Sequence, residues 1–209
     1  MSDQPRTAGP YRLLEQLGWD GLGEVFRGRS ESGNEAAVMV IQAELAADPA
    51  FRARFRARFE ARSQAGATAA QKTGGSFVVP VVDADLDSEV MWLATAFVAG
   101  PSLADAAREH GPLSGRPLLT LAAGLAAGLR AMHAAGLVYG NLDPAQVVLA
   151  EDGPRLAGSG MLAGSGMLAD SGVWTEADFG SPGFVSPEQV LGHEAGPGSG
   201  TRARAGWCW

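Results

Sequence analysis

With 209 residues the chain is long enough to bury a core, and its formal charge of −7 argues against a nucleic-acid partner, which basic residues would hold by displacing counterions. Cys208 is the only cysteine, which excludes an intrachain disulfide framework or a cysteine metal site and suits a reducing compartment. Met1 to Pro10 is polar, without the apolar core of a secretory signal, and no uncharged apolar run approaches the roughly 18 residues of a membrane span, so a cytoplasmic protein with no membrane span is expected.

Residues 1–10 are expected to be disordered. Tyr11 to Leu17 predicts a strand, Gly18-Trp-Asp-Gly-Leu-Gly23 a glycine turn, and Glu24 to Gly28 a returning strand. Such a turn is commonly an ordinary hairpin. The sharper reading is a loop in which Gly18, Gly21 and Gly23 let backbone N–H groups approach phosphate. Glu35 to Ile41 is a β-rich run with Met39 inside it. Asp48 then caps a helix that Pro49 starts, and Phe51, Phe55 and Phe59 recur every four residues on one face. Arg52, Arg54, Arg56, Arg58 and Arg62 lie elsewhere around it. Ala61 to Gly75 has no period and predicts a frayed helix end and loop.

Phe77 to Asp83 and Val90 to Val98 predict two further strands, joined by Asp85 to Ser88. Gly100-Pro-Ser-Leu103 opens a short helix. Leu118, Leu121, Ala122, Leu125, Leu129 and Met132 form one apolar stripe, the mark of a buried amphipathic helix. His110 and His133 have no partners at ligand spacing and are expected to be structural. Gly136 to Tyr139 is a short apolar strand, followed by a polar turn and the apolar strand Val147 to Ala150. Ala157-Gly-Ser-Gly-Met-Leu162 repeats at once as 163–168, which suits duplication within an unconstrained loop.

Leu142 and Pro144 keep their places in the pattern His-Arg-Asp-Leu-Lys-Pro-x-Asn, and Gly180-Ser-Pro-Gly-Phe-Val-Ser-Pro-Glu188 matches Gly-Thr-Pro-x-Tyr-Met-Ala-Pro-Glu. From Tyr11 to Ser199 the chain therefore resembles the bacterial Hanks-type (eukaryotic-like) serine/threonine protein kinase domain. The resemblance implies an α+β fold: an antiparallel-sheet small lobe with one C-helix over 11–99, a partial, mainly helical large lobe over 100–199, and an aberrant tail over 200–209. It also implies which positions should carry chemistry. Met39 stands at the phosphate-binding lysine, and Arg58 at the Glu that pairs with it. The His, Arg, Asp, Lys and Asn of the catalytic loop are replaced by Tyr139, Gly140, Asn141, Asp143 and Gln146. Gly158-Ser-Gly160 stands where the magnesium-binding Asp-Phe-Gly belongs, while Asp178-Phe-Gly180 lies too close to Ser186-Pro-Glu188 to serve. Asp20 occupies the second glycine of the phosphate loop. On the same resemblance, Val25, Ala37 and Val148 would face adenine, Thr95 would be the gatekeeper, and Ala96, Phe97 and Val98 would form the hinge.

With these replacements the expectation is a pseudokinase that binds or regulates proteins, with ATP held weakly if at all and no magnesium site. Lys72 is the only lysine, so none can be recruited from elsewhere. One alternative is a working kinase that uses Arg58 for charge and Asn141 for orientation. Arg58 as part of a solvated basic face is the blander reading. Another is a truncated or frameshifted product, since Gly200 to Trp209 lacks the family's continuation and is compatible with a shifted frame. The stripe from Leu118 to Met132 would then lie uncovered and offer a surface to a protein partner.

Overall fold

The computed structural model describes residues 7–19, 22–57, 59–60, 78–134 and 142–157. The chain divides into two compact units, Met1–Arg56 with Pro80–Phe97, and Ala57–Val79 with Val98–Trp209.

The first unit is built on a six-stranded antiparallel sheet of β1 (Thr7–Ala8), β2 (Tyr11–Trp19), β3 (Gly23–Ser30), β4 (Glu35–Ile41), β5 (Val81–Asp85) and β6 (Trp92–Ala96). The strand order is β1-β2-β3-β4-β6-β5. Alternation along β3 and β4 sends Phe26, Ala36 and Val38 to one face, where they join Ala8, Tyr11, Trp92 and Ala94 or pack nearby. Val25, Arg27, Ala37 and Met39 go to the other. Bulges in β2 between Leu13 and Glu15 and between Gln16 and Gly18 leave Leu14 and Leu17 as the extra residues, and both are exposed.

Two helices follow β4: α1 (Ala43–Ala47) and α2 (49–57). Asp48 stands between them, and its carboxylate accepts the Ala50 N–H at 2.9 Å, which caps α2 as its residue type predicts. Phe51 and Phe55, one turn apart, are fully buried and stacked at 5.6 Å between ring centroids. Phe59 is half-buried.

The second unit holds α3 (Leu103–His110), α4 (Gly115–Ala134), a 3-10 turn at Pro144–Gln146, and the hairpin of β7 (Val147–Ala150) and β8 (Gly153–Leu156). Ser102 caps α3 by accepting the Asp105 N–H at 3.0 Å. Leu121, Leu125, Leu129 and Met132 of α4 bury against Leu103, Leu142, Val147 and Leu156.

Several expectations are corrected. Thr7 and Ala8, read as disordered, form β1, because Ala8 packs into the core around Trp92. The strand expected at 77–83 starts at Val81. Pro80 has no N–H, and the Val79 N–H donates instead to the Leu156 carbonyl at 2.9 Å, while Val78 bridges Leu156. Asp85 closes β5 rather than opening the connection, and the strand expected at 90–98 shrinks to Trp92–Ala96. On α4, Leu118 and Ala122 are exposed and Gly128 is buried. Most of the stripe is covered: Leu121, Leu125, Leu129 and Met132 have Leu103, Leu142, Val147 and Leu156 as partners. His110 is an exposed residue at the end of α3. The stretches 61–77, 135–141 and 158–209 lie outside the described residues, and with them the predicted loop, the first strand of the catalytic-loop motif, the hexapeptide repeat and the tail.

Candidate functional site

In the first unit the predicted nucleotide-facing residues form adjacent rows. Val25 pairs with Met39 across β3 and β4, and Met39 pairs with Leu93 of β6. The next row on that face is Arg27, Ala37 and Thr95. Val25 and Ala37 are half-buried, whereas Met39 is 5 % and Thr95 9 % exposed. Position 39 is thus an apolar core site, and its methionine fills it as a flexible thioether does. The Thr95 hydroxyl donates to the Ala37 carbonyl at a long 3.4 Å.

Gly18 lies near the end of β2 and Gly23 starts β3. A Cβ on Gly23 would fall 2.7 Å from the Val40 carbonyl carbon and 3.0 Å from Ile41 Cα. Glycine at 23 is thus required by close strand packing, whatever it does for a ligand. Gly21 lies outside the described residues.

Of the hinge positions, Ala96 donates its N–H to the Pro80 carbonyl at 3.0 Å. Phe97 is half-buried, and the Arg27 guanidinium carbon stands 4.9 Å from the centroid of its ring. Arg27 also donates to both oxygens of Glu35, at 2.8 and 2.9 Å, and Arg29 donates to the same carboxylate at 2.8 Å. Those bonds, Arg29's first and then Arg27's, hold the Glu35 carboxyl below its ordinary range. This Arg27–Glu35–Phe97 cluster was missed in the sequence. Its signal was the alternation that places Arg27 two residues after Val25, on the same face.

In the second unit, Asp143 is 8 % exposed, and its carboxylate accepts the Ala145 N–H at 2.8 Å, capping the 3-10 turn that Pro144 begins. The Gln146 N–H donates to the Asp143 carbonyl at 2.9 Å, and the Gln146 carbonyl accepts from Ala157 at 2.8 Å. Val147 is fully buried. Val148 is half-buried, pairs with Arg155 and bridges Ser102. Val98 is half-buried and belongs to this unit. Arg58, Asn141 and Gly158 lie outside the described residues. Among the described residues no three His, Cys, Asp or Glu side chains group as metal ligands, and no helix is long and apolar enough to cross a membrane.

No family model matches the chain. It is 43 % identical over 197 residues to a probable serine/threonine-protein kinase, PkwA of Thermomonospora curvata, covering 93 % of this chain and 25 % of that protein. It is 40 % identical over 186 residues to the serine/threonine-protein kinase AfsK of Streptomyces coelicolor, covering 89 % of this chain and 22 % of the relative. The chain thus spans about a quarter of the length of these curated relatives. The crystal structure of the Mycobacterium tuberculosis PknI kinase domain superposes with a TM-score of 0.68 at 22 % identity, over 97 % of this chain and 72 % of that one. At that identity the likeness establishes the fold: a sheet-rich small lobe followed by helical structure.

Proposed function

The chain is homologous over 93 % of its length to bacterial Hanks-type serine/threonine protein kinases, and from that premise we propose that it is a pseudokinase. On this reading it is a kinase-like domain that binds or regulates proteins, holds ATP weakly at most, and does so without magnesium.

The observation that carries this reading is Met39. It is buried in β4 between Val25 and Leu93, at the place where the family needs a cation for the nucleotide's phosphates. A thioether supplies no charge, and its row neighbours are apolar. Asp143 supports the same reading. Its carboxylate is engaged in capping the turn and brings negative charge to the position of the lysine that normally approaches the transferred phosphate. Phosphoryl transfer depends on positioning and charge neutralisation, and loss of one preorganised electrostatic group costs about 10²–10³ in rate. Here the lysine, its Glu partner, the Asp base and both magnesium ligands are replaced together.

The test is phosphate transfer from labelled ATP, to the chain itself and to a generic protein substrate, with and without magnesium, alongside thermal shift with millimolar ATP. The expected result is no transfer and a small shift that magnesium leaves unchanged. Magnesium-dependent transfer abolished by Arg58→Ala would establish the second reading, a working serine/threonine kinase with substituted residues. That reading is favoured by the 43 % identity to a relative named as a kinase.

A further inference from the structure

Arg52, in the first turns of α2, reaches across to the turn between β5 and β6. Its guanidinium donates to the carbonyls of Ser88 at 2.8 Å, Leu86 at 3.2 Å and Asp87 at 3.3 Å. Its Nε donates to the Ala46 carbonyl in α1. One side chain thus ties α1, α2 and the turn together.

The turn is shaped to receive it. The Asp85 carboxylate accepts the N–H groups of Asp87 and Ser88, both at 3.0 Å, and so curls the chain that three successive carbonyls converge on one guanidinium. Those two bonds, Ser88's first, also hold the Asp85 carboxyl below its ordinary range. The Ser88 hydroxyl closes the far side by donating to the Val90 carbonyl at 2.6 Å. Arg56, one helical turn on, pairs with the Asp87 carboxylate, but both partners are exposed, and such pairs hold little.

We propose that Arg52 is a latch that makes α2 and the β5–β6 turn one mechanical body, so that release of either end frees both. The turn runs directly into β6, which carries Thr95 and leads to Phe97. Motion of α2 would therefore be passed to the strand bearing the candidate nucleotide-facing residues. The latch depends on the planar fork of guanidinium donors, which an ammonium cannot reproduce. It holds whether or not the domain binds nucleotide.

Hydrogen exchange measured by mass spectrometry on the full chain tests this. Arg52→Lys and Arg52→Ala are expected to speed exchange about tenfold in peptides covering 52–57 and 86–91 together, with the peptide covering 35–41 unchanged. Arg56→Ala should leave all three unchanged. Asp85→Ala, which touches only the turn, should also speed exchange in 52–57, and it keeps the proposal testable if Arg52→Ala does not fold. Unchanged exchange in 52–57, a response in only one of the two segments, or an equal rise in 35–41 would overturn the latch. So would an effect of Arg56→Ala as large as that of Arg52→Lys.

Discussion

Gly9 lies against the indole of Trp92, so close that a Cβ at position 9 would sit 2.8 Å from Cε2 and nearer still to Cζ2. Its φ of 53° is left-handed, a conformation in which side chains are strained. The short strand before it thereby helps to bury Trp92 and Tyr11, whose rings meet edge to face at 5.6 Å, with Ala36, Val38 and Ala94 on one face of the sheet. Gly9→Ala should therefore destabilise the first unit by about 2–4 kcal/mol, combining backbone strain with overpacking. Gly33 has φ 87° but open space around it, so Gly33→Ala should cost only the strain, about 1–2 kcal/mol. Urea denaturation of the two variants separates these contributions.

Met39→Lys installs the residue type that the kinase resemblance implies at this position. The site is 5 % exposed, with Val25 and Leu93 as its cross-strand neighbours, so the ammonium would be buried. Its cost should be several kcal/mol, about 3–5 by analogy with an uncompensated buried charge, whereas Met39→Leu should cost less than about 1.5. Denaturation gives the stabilities. On the pseudokinase reading proposed above, the same variant assayed for phosphate transfer should show none, because one lysine supplies neither a Glu partner nor an Asp base.

Ser102→Ala removes the oxygen that accepts the Asp105 N–H at the start of α3. A lost N-cap of this kind costs about 1 kcal/mol. The Ser102 hydroxyl also donates to the Asp105 carboxylate at 2.6 Å and, ahead of Arg108, holds that carboxyl low. The variant should thus combine a small fall in melting temperature with an Asp105 pKa returned toward the ordinary aspartate value, which carboxyl-region NMR titration reads directly.

Acid should act on the first unit through Asp85 and Glu35. Both carboxyls are held below their ordinary values, Asp85 by backbone N–H groups and Glu35 by Arg29 and then Arg27. A depressed folded-state pKa means that the stabilisation is fully present above the unfolded values, about 3.9 for Asp and 4.3 for Glu, and is lost as pH falls through the folded ones. Melting temperature should stay flat from neutral pH down to about 5 and then decline, and Asp85→Ala should make that decline shallower.

The helical face of Phe51 and Phe55, the apolar β4 strand and the cap at Asp48 were legible in the residues because each is a local property: periodicity, propensity or a side chain reaching its own backbone. The kinase-like fold was legible too, since the order and spacing of its elements are written in the chain. Tertiary structure decided what local pattern cannot. Val78 and Val79 look like the start of a strand, yet Leu156, distant in sequence, takes their pairing. Leu118 and Ala122 fit the apolar stripe by period, but the partners Leu103, Leu142, Val147 and Leu156 cover only Leu121, Leu125, Leu129 and Met132. Nothing in the local pattern singles out Arg27 or Arg52, and only the approach of Phe97 and of the carbonyls at 86–88 gives them roles. A sequence states which groups can bond and on which face they lie; long-range packing selects the partner.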